Sequence, residues 1–356
     1  DAKGNTLDLS QIYVESKSGN NVSLTIDIKV QQSLERELDN IVDMFLPDMA
    51  LALVMDPNTG EILGMSSRPN YDSNNYSDYS LEELSRNLPI WASYEPGSTF
   101  KIITTAAAIE EKVVDLEKDT FYDTGSVIVS GSRIGCWKSK GHGFQTFLQV
   151  LENSCNPGFV ELGNRLGKDT LFSYLDKFGF GKKTGVDLNG ESTGIMFNLN
   201  RVGNVELATT AFGQGVSVTP IQQVTATSAV VNGGTLYKPY ILKSINDKTN
   251  TIIKETKKTP IRKVISEETS NLMKRALESV VAKGGGKSAY IEGYRIGGKT
   301  GTAQKVENGR YMVGNYIASF IGFLPADDPK VIAYVAIDNA KGVTQYGGTI
   351  AAPIAR

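Results

Sequence analysis

Residues 95–101 read Glu-Pro-Gly-Ser-Thr-Phe-Lys, and the stretch that follows as far as Glu110 is rich in Ala, Ile and Thr. Pro96-Gly97 interrupts the chain, so a buried helix is predicted from Ser98 to Glu110. Positions three apart on a helix share a face, which places Lys101 beside Ser98. A helix N-terminus suits an oxyanion, and a lysine with a lowered pKa can act as a base. The stretch therefore predicts a serine nucleophile with a lysine base.

Two further motifs carry side chains suited to the same chemistry. Ser154-Cys155-Asn156 stands before Pro157-Gly158, and Lys299-Thr300-Gly301-Thr302 follows Gly297-Gly298 on a predicted strand. Glycines weaken a strand unless another group approaches its backbone closely, and we expect a ligand that pairs with this edge. Each motif alone is weak, because S-x-x-K arises often by chance and S-x-N fits a turn. In this order, S-x-x-K, S-D-N and K-T-G are the signature of β-lactamases and penicillin-binding proteins, with Cys155 here replacing the aspartate.

The patterns around these motifs predict alternating regions of strand and helix. Two short apolar runs, Ala50–Met55 and Glu61–Ser67, flank a Pro/Asn/Gly turn and predict a β-hairpin. Further strands are predicted at Gly293–Thr302, Tyr316–Leu324 and Val331–Asp338. Amphipathic or capped helices are predicted at Ile28–Phe45, Thr219–Asn232 and Ser266–Lys283.

Strands at both ends with helices between them favour an α+β fold. We expect a mostly antiparallel five-stranded sheet flanked by helices, with an all-helical subdomain inserted. The sheet would draw on residues 22–67 and 290–340, and the helical part would run from about 68 to 289. Residues 22–356 would then form one catalytic domain.

Composition and chain ends narrow the class of protein. The chain has 356 residues, of which 40% are hydrophobic and 21% charged, with a formal net charge of −2. No basic tract is interleaved with aromatic residues, so no nucleic-acid partner is expected. The polar start at 1–21 predicts a linker from a missing N-terminal region. Small residues before Pro353 predict a C-terminal helix that is truncated.

The sequence resembles the class B penicillin-binding proteins, and the match extends beyond the three motifs to cover roughly residue 22 to the end. The segments that carry it are 95–101, Phe212-Gly213-Gln214-Gly215 with Thr219-Pro220, Gly298–Gln304, and Phe320-Ile321-Gly322-Phe323 with Pro325. The resemblance implies the β-lactamase/transpeptidase-like form of the α+β fold. Class B members often vary at the middle of the second motif, so Cys155 does not conflict with catalysis.

The resemblance implies a peptidoglycan D,D-transpeptidase that cross-links stem peptides. Ser98 would attack the D-Ala-D-Ala carbonyl and expel the terminal D-Ala, while Lys101 takes the proton. Ser154 would relay a proton to the leaving amine, and Asn156 would hold the substrate amide. No cofactor is required for this acyl transfer.

The resemblance also assigns the third motif and the ligands. Lys299, Thr300 and Thr302 would bind the terminal carboxylate along the strand that contains Gly301. Backbone N–H groups of Ser98 and Thr302 would form the oxyanion hole. β-Lactam antibiotics would mimic the stem peptide, and a membrane glycosyltransferase would be a partner. The domain would lie on the extracytoplasmic face of the bacterial cell membrane, anchored by an N-terminal helix outside this chain.

Two alternative functions share this fold. A β-lactamase of the class A type uses a later glutamate within E-x-x-L-N, and Glu191 lies at a plausible distance. Ser192-Thr193-Gly194-Ile195 follows it, without the Leu-Asn. A non-catalytic β-lactam sensor would use Ser98 only to become acylated.

Cys136, His142 and Cys155 are all the cysteines and histidines in the chain. Thiolate and imidazole ligands suit a structural zinc ion, which takes four ligands; Asp123 is our first choice for the fourth and Glu152 the second. A bound zinc would hold the second motif in place and favour a neutral lysine base. A disulfide, which suits an extracytoplasmic domain, and free buried thiols are the alternatives. A Ser-His-Asp triad would have to use His142.

Overall fold

The computed structural model describes residues 15–16, 18–307 and 309–355. Its strands are β1 (Asn21–Leu24), β2 (Met49–Met55), β3 (Ile62–Arg68), β4 (Thr120–Asp123), β5 (Ser126–Val129), β6 (Ser132–Gly135), β7 (Gly143–Thr146), β8 (Thr235–Tyr237), β9 (Leu242–Asn246), β10 (Ile252–Glu255), β11 (Pro260–Lys263), β12 (Gly297–Glu307), β13 (Arg310–Leu324) and β14 (Val331–Asp338). Its α-helices are α1 (Ile28–Phe45), α2 (Leu81–Ser85), α3 (Leu88–Trp91), α4 (Lys101–Glu110), α5 (Phe147–Glu152), α6 (Asn156–Leu166), α7 (Lys168–Lys177), α8 (Asn204–Ala211), α9 (Pro220–Val231), α10 (Glu267–Lys283) and α11 (Gly347–Ile354).

Five strands form the central sheet in the order β12-β13-β14-β2-β3, with every neighbouring pair antiparallel. The predicted α+β fold with a five-stranded antiparallel sheet is thereby confirmed. The last strand has its predicted bounds. β12 begins at Gly297 rather than at Gly293. Both β12 and β13 extend past their predicted bounds at the turn between them, because they continue to pair as a hairpin as far as Glu307 and Arg310.

β1 lies outside the central sheet, so the expectation that the sheet draws on all of residues 22–67 is wrong for its first strand. β1 pairs antiparallel with β9, which also pairs with β10, in a compact unit that includes Leu242–Lys257. All four residues of β1 are exposed, whereas β2 of the central sheet is almost wholly buried. The linker predicted at 1–21 lies largely outside the described residues, and its bounds stay a prediction.

The region predicted to be helical, residues 68–289, contains helices α2 to α10 and short strand pairs as well. β4 pairs with β7, β5 with β6, and β8 with β11, all antiparallel. Each of these strands is only three or four residues long. Strands of that length show too little alternation to be recognised in a sequence. The inserted subdomain is therefore mainly, but not entirely, helical.

Apolar side chains cover both faces of the central sheet. Successive residues of a strand point to opposite faces, and β2 alternates accordingly between large and small side chains. Leu51 and Leu53 join the larger core with α4, α6 and α9. Ala50 and Ala52 join a smaller core with Leu38 of α1. The small alanines let α1 approach the sheet closely.

α4 and α9 pass through the larger core. Every residue of α9 is buried, as is every residue of α4 except the last. Helices that bury their whole surface lack a charged face, and the Ala-, Ile- and Thr-rich sequence of α4 fits this rule. Lys101, at the first position of α4, is the exception to this rule. As a buried lysine it needs specific hydrogen-bond partners.

Side chains at the helix starts fix the helix boundaries. Asp27 caps α1, and Thr219 and Ser266 cap α9 and α10. Each side-chain oxygen accepts a hydrogen bond from N–H groups that the first helical turn leaves without partners. Gly284 ends α10, directly after the predicted last residue Lys283.

Candidate active site

Ser98 lies in a tight turn that leads directly into α4. Residues Gly97–Phe100 form a 3₁₀ turn, and the α-helix begins at Lys101 rather than at the predicted Ser98. Residues three apart eclipse one another in a 3₁₀ helix, so Ser98 and Lys101 share a face. Ser98 is half-buried while its neighbours from 96 to 101 are buried, which leaves the serine as the accessible residue of the turn.

Gly97 gives this turn its shape and its close contact with the third motif. Its φ of +54° lies in the left-handed region that favours glycine, and its N–H donates to Gly213 O at 2.9 Å. A Cβ at this position would lie only 3.3 Å from Thr302 O. The turn that holds Ser98 therefore packs against the backbone of β12.

The Lys101 side chain extends from α4 to the second motif. Its Nζ lies 2.8 Å from Ser154 O, 3.1 Å from Ser154 Oγ and 2.6 Å from Asn156 Oδ1. A neutral amine has two N–H donors and one lone pair. It can therefore donate to the two carbonyl oxygens and still accept a proton from a hydroxyl group.

Burial and a second lysine both oppose a positive charge on Lys101. Burial lowers the pKa of Lys101 well below its usual value of 10.5, and repulsion from Lys299 lowers this pKa further. Burial also lowers the pKa of Lys299 to about 7. Lys299 Nζ lies 3.1 Å from Ser154 Oγ, the hydroxyl that also contacts Lys101. Two ammonium groups would thus face one oxygen, and we infer that at least one amine is neutral at neutral pH.

Ser154 holds a strained backbone conformation between α5 and α6. Its φ is +54°, in a region that costs a non-glycine residue about 1–3 kcal/mol. The turn is held by hydrogen bonds from Ser154 N–H to Leu151 O at 3.2 Å and from Cys155 N–H to Val150 O at 3.0 Å. This conformation places one hydroxyl within hydrogen-bonding distance of both lysines.

β12 carries the third motif along one edge of the central sheet. Lys299 is fully buried, and Thr300 and Thr302 remain partly accessible to a ligand. A Cβ on Gly301 would lie 3.2 Å from Pro96 O. Gly301 thus lets the Ser98 turn approach the strand, so a protein contact explains the glycine that the sequence analysis attributed to a ligand.

Cys136, His142, Cys155 and Asp123 form one cluster, in which the potential ligand atoms all lie within 4.8 Å of one another. His142 Nδ1 lies 2.8 Å from Asp123 Oδ2 and 3.4 Å from Cys136 Sγ. Both cysteines are free and buried. The structure therefore brings together the three Cys and His residues and the carboxylate that was our first choice. Glu152, the second choice, bonds instead to Ser279 Oγ at 2.5 Å.

The cluster is electrostatically unusual for buried side chains. Burial raises the pKa of Asp123, but hydrogen bonds from Gly125 N–H and His142 outweigh it and hold this pKa at about 2. The hydrogen bond between the two thiols lowers the pKa of Cys136 and raises that of Cys155. His142 Nε2 is buried and has no hydrogen-bond partner in the described part of the chain.

The structure does not assemble a Ser-His-Asp triad. His142 Nδ1 faces a carboxylate as in a triad, but its Nε2, which would have to bond to Ser98 Oγ, has no partner among the described residues. Lys101, which shares a face with Ser98, therefore stays the predicted base.

Two contacts of the site were not predicted from the sequence. Glu95 accepts hydrogen bonds from Gly215 N–H at 2.8 Å and from Tyr311 Oη at 3.1 Å, which ties the Ser98 turn to the β12–β13 hairpin. Gly347 N–H, at the start of α11, donates to Thr302 Oγ1 at 3.1 Å. Glu95 belongs to a segment that carries the family resemblance, but no sequence signal marks Gly347.

Replacing Lys299 with methionine tests the buried amine. Because burial lowers its pKa from 10.5 to about 7, the unfolded chain holds a proton between these pH values that the folded chain has released. The unfolding free energy should therefore rise with pH through this window, by on the order of 1 kcal/mol per pH unit. Lys299→Met should lack this contribution, as measured by denaturant unfolding at several pH values from 7 to 10.

Lys168→Met, which removes an exposed lysine at the start of α7, is the matched control and should keep the pH dependence of the parent. Parallel pH curves for the parent and Lys299→Met would show that Lys299 does not change its protonation on folding.

Comparisons with known proteins agree with this geometry. The family model for the penicillin-binding protein transpeptidase domain matches residues 50–356. Stage V sporulation protein D of Bacillus subtilis is 59% identical over 99% of this chain and 55% of its own length. Peptidoglycan D,D-transpeptidase FtsI of Escherichia coli K12 is 33% identical over 96% of this chain and 55% of its own length. The chain thus spans about half the length of these relatives.

Solved structures share the fold over nearly the whole chain. Penicillin-binding protein 3 from Mycobacterium tuberculosis, complexed with aztreonam, gives a TM-score of 0.89 at 28% identity, covering 97% of this chain and 79% of that one. The corresponding domain of penicillin-binding protein 3 from Burkholderia pseudomallei gives a TM-score of 0.80 at 27% identity. This match covers 93% of this chain and 92% of that one. The chain therefore belongs to the penicillin-binding protein transpeptidase domain family.

Proposed function

We propose that this chain is the catalytic domain of a peptidoglycan D,D-transpeptidase that acts through a Ser98 acyl-enzyme. The observation that carries the proposal is the buried Lys101 amine, three residues after Ser98 and hydrogen-bonded to Ser154 and Asn156. The lowered pKa of Lys101 favours the neutral amine, whose lone pair can accept a proton. Family membership and the names of two relatives support the substrate class.

In the first half-reaction Ser98 Oγ attacks the carbonyl carbon of the penultimate D-Ala of a stem peptide. Lys101 Nζ accepts the hydroxyl proton as the C–O bond forms. Backbone N–H groups of Ser98 and Thr302 bind the developing oxyanion, and the contact between Gly97 and Thr302 supports this pairing. The proton then passes through Ser154 Oγ to the leaving amine, and the terminal D-Ala departs as the C–N bond breaks.

In the second half-reaction an amine of another stem peptide attacks the acyl-enzyme. The attacking amine gives up a proton, which passes through Ser154 Oγ to Lys101. A new amide bond forms, the ester bond to Ser98 breaks, and Lys101 returns this proton to Ser98 Oγ. Asn156 holds the substrate amide through both steps. The chemistry uses side chains and backbone groups alone, as acyl transfer in this family needs no cofactor.

The third motif binds the terminal carboxylate of the stem peptide through Lys299, Thr300 and Thr302, alongside Gly301. A carboxylate next to Lys299 favours its charged form. Because the pKa of the free amine is about 7, the lysine gains its charge fully only when substrate binds. This gives a functional reason to bury an amine to which the described residues offer no carboxylate.

The β-lactamase alternative receives less support from the geometry. Glu191 is buried, and its carboxylate accepts hydrogen bonds from Thr184 N–H at 2.6 Å, Thr184 Oγ1 at 2.5 Å and Gly185 N–H at 3.1 Å. A carboxylate tied to its own loop is not free to activate a deacylating water. The sensor alternative differs from a transpeptidase only in turnover.

Ser98→Ala should abolish covalent labelling by a fluorescent penicillin, because the acyl-enzyme forms on the oxygen that this variant lacks. Lys101→Ala should slow labelling by roughly a hundredfold or more, the usual contribution of a general base. Intact mass after penicillin treatment measures the adduct, and thermal unfolding of the same samples checks that each variant is folded.

Ser132→Ala, at an exposed position of β6, is the matched control and should label like the parent. A Ser98→Ala variant that still gains the mass of penicillin would rule out Ser98 as the nucleophile. Stable label together with turnover of a D-Ala-D-Ala peptide supports the transpeptidase. Rapid loss of label would indicate a β-lactamase, and stable label without turnover would indicate a sensor.

We also propose that Cys136, His142, Cys155 and Asp123 hold a structural zinc ion. One nitrogen, two sulfurs and one oxygen make a donor set suited to tetrahedral zinc. The two free, buried thiols and His142 Nδ1, which faces both Asp123 and Cys136, also fit, because a bound metal would satisfy these buried atoms. A disulfide between the cysteines is the competing use of the same residues.

Cys155 stands between Ser154 and Asn156, which both accept hydrogen bonds from Lys101 Nζ. A zinc ion at Cys155 would supply rigidity to this turn. Two thiolates and one carboxylate would give the zinc site a net negative charge, so the metal would not favour a neutral Lys101, contrary to the expectation from the sequence. Its role would be structural, since the acyl-transfer steps above use only the chain's own groups.

Protein purified without chelators should contain about one zinc per chain, a content expected of a four-ligand structural site. Cys155→Ser and Asp123→Asn should each reduce the zinc content and the melting temperature. Glu152→Gln is the matched control, because Glu152 bonds to Ser279 outside the cluster. A zinc-free chain, or an intact mass that shows two hydrogens lost to a disulfide, would contradict the proposal.

We propose that the full-length protein acts at the extracytoplasmic face of the cell membrane, held by an N-terminal helix and beside a membrane glycosyltransferase. The family resemblance supports this location, since peptidoglycan is assembled outside the cytoplasm. Within the described ranges, no helix combines the length and apolarity that crossing a bilayer requires. The full-length protein should sediment with membranes and, after cross-linking in cells, co-purify with a glycosyltransferase; recovery in the soluble fraction would contradict the proposal.

A further inference from the structure

The start of α11 contacts the third motif through a single backbone group. Gly347 is the first residue of α11, and its N–H donates to Thr302 Oγ1 at 3.1 Å. The first N–H groups of a helix have no partner within the helix, so this one is free to serve another group. Gly347 is buried, whereas Thr302 is half-buried and accessible to a ligand.

Space, rather than backbone conformation, requires glycine at position 347. Its φ lies outside the left-handed region, so alanine could adopt the same backbone. A Cβ at this position would lie 2.2 Å from Gly301 O, 2.4 Å from Ser319 O and 3.1 Å from Gly301 N. Gly301 and Ser319 are register partners of β12 and β13. Any side chain would therefore push the start of α11 away from the strand that carries Thr302.

The hydrogen bond from Gly347 N–H determines whether the Thr302 hydroxyl donates to or accepts from a ligand. A threonine hydroxyl has one proton to donate and two lone pairs that accept. Because one lone pair takes the Gly347 N–H, the proton must point away from α11. Thr302 Oγ1 donates no hydrogen bond to any residue that the structure describes. The hydroxyl is thus left as a donor without an acceptor at the candidate carboxylate site.

We propose that Gly347 is a positioning residue that holds the Thr302 hydroxyl as a hydrogen-bond donor to the terminal carboxylate of the substrate. The inference rests on the proposed function, because it assigns the carboxylate to the third motif. It adds a residue far from the three motifs in sequence and a reason why that residue must be glycine.

Acylation by benzylpenicillin and by its methyl ester provides the test, since only the free acid carries the carboxylate. In Gly347→Ala the displaced N–H no longer orients the hydroxyl. The acylation rate constant for the free acid should fall roughly tenfold, the effect of losing one hydrogen bond to a charged group. The rate for the ester should change by less than about threefold. The ratio of the two rates separates carboxylate recognition from a general loss of structure.

A second variant removes the N–H without adding a Cβ. Glycolic acid incorporated at position 347 replaces the amide N–H by an ester oxygen, so it should fold even where Gly347→Ala does not. The glycolic acid variant should lower the ratio of the acylation rate constants for the free acid and the ester to the same extent as Gly347→Ala. Thr349→Ala, at an exposed position of α11, is the control and should leave the ratio unchanged.

Combining the glycolic acid substitution with Thr302→Val completes the test. If Gly347 acts through the Thr302 hydroxyl, glycolic acid at position 347 should not lower the acid-to-ester ratio any further in a Thr302→Val background, where that hydroxyl is absent. In a Thr302→Ser background, which keeps a hydroxyl, glycolic acid should still lower the ratio. Equal slowing of the acid and the ester, or an unchanged ratio in the glycolic acid variant, would overturn the inference. A parent protein that benzylpenicillin fails to acylate would instead overturn the proposed function.

Discussion

The burial of the Lys101 amine is the constraint on which the rest of the site depends. Burying a charged amine in the core costs free energy. The fold must therefore either provide hydrogen-bond partners for the charged amine or lower its pKa so that the amine is neutral. α4 holds the amine in the larger core, and the carbonyl oxygens of Ser154 and Asn156 accept the hydrogen bonds that a neutral amine can donate. The strained turn at Ser154 follows from this demand, because a relaxed turn would not present the same oxygens.

The site also requires that three separate segments of the chain come together, and close backbone contacts allow this. Gly97, Gly301 and Gly347 lie where the Ser98 turn, β12 and the start of α11 approach one another, and a Cβ at each would meet backbone of a neighbouring segment. Interiors are packed too tightly to absorb such atoms. The precision of the site therefore comes from the absence of side chains at three positions as much as from the reactive groups.

Sequence reasoning recovered the parts of the molecule that local patterns encode. The helix at Ile28–Phe45 has its predicted bounds because one apolar stripe and one capping aspartate define it. Asp123 was chosen as a fourth donor for a zinc site with Cys136, His142 and Cys155, and the structure places it beside these residues. The partner of β1 and the role of Gly347 were out of reach, because both depend on which distant segments meet. The serine, lysine and K-T-G residues were assigned through a family signature, and spacing alone would have left them ambiguous.

β12 is the outer strand of its sheet, so one row of its N–H and C=O groups has no strand partner within the described ranges. Such an edge usually invites unwanted association. In a peptide-processing enzyme it can act as a template, on which an extended ligand is read mainly through main-chain hydrogen bonds. An inhibitor of this kind needs no β-lactam ring: a short extended peptidomimetic that ends in a carboxylate would compete for the same edge. Side-chain changes along β12 would leave the backbone donors and acceptors in place, whereas binding of the carboxylate would still depend on Lys299, Thr300 and Thr302.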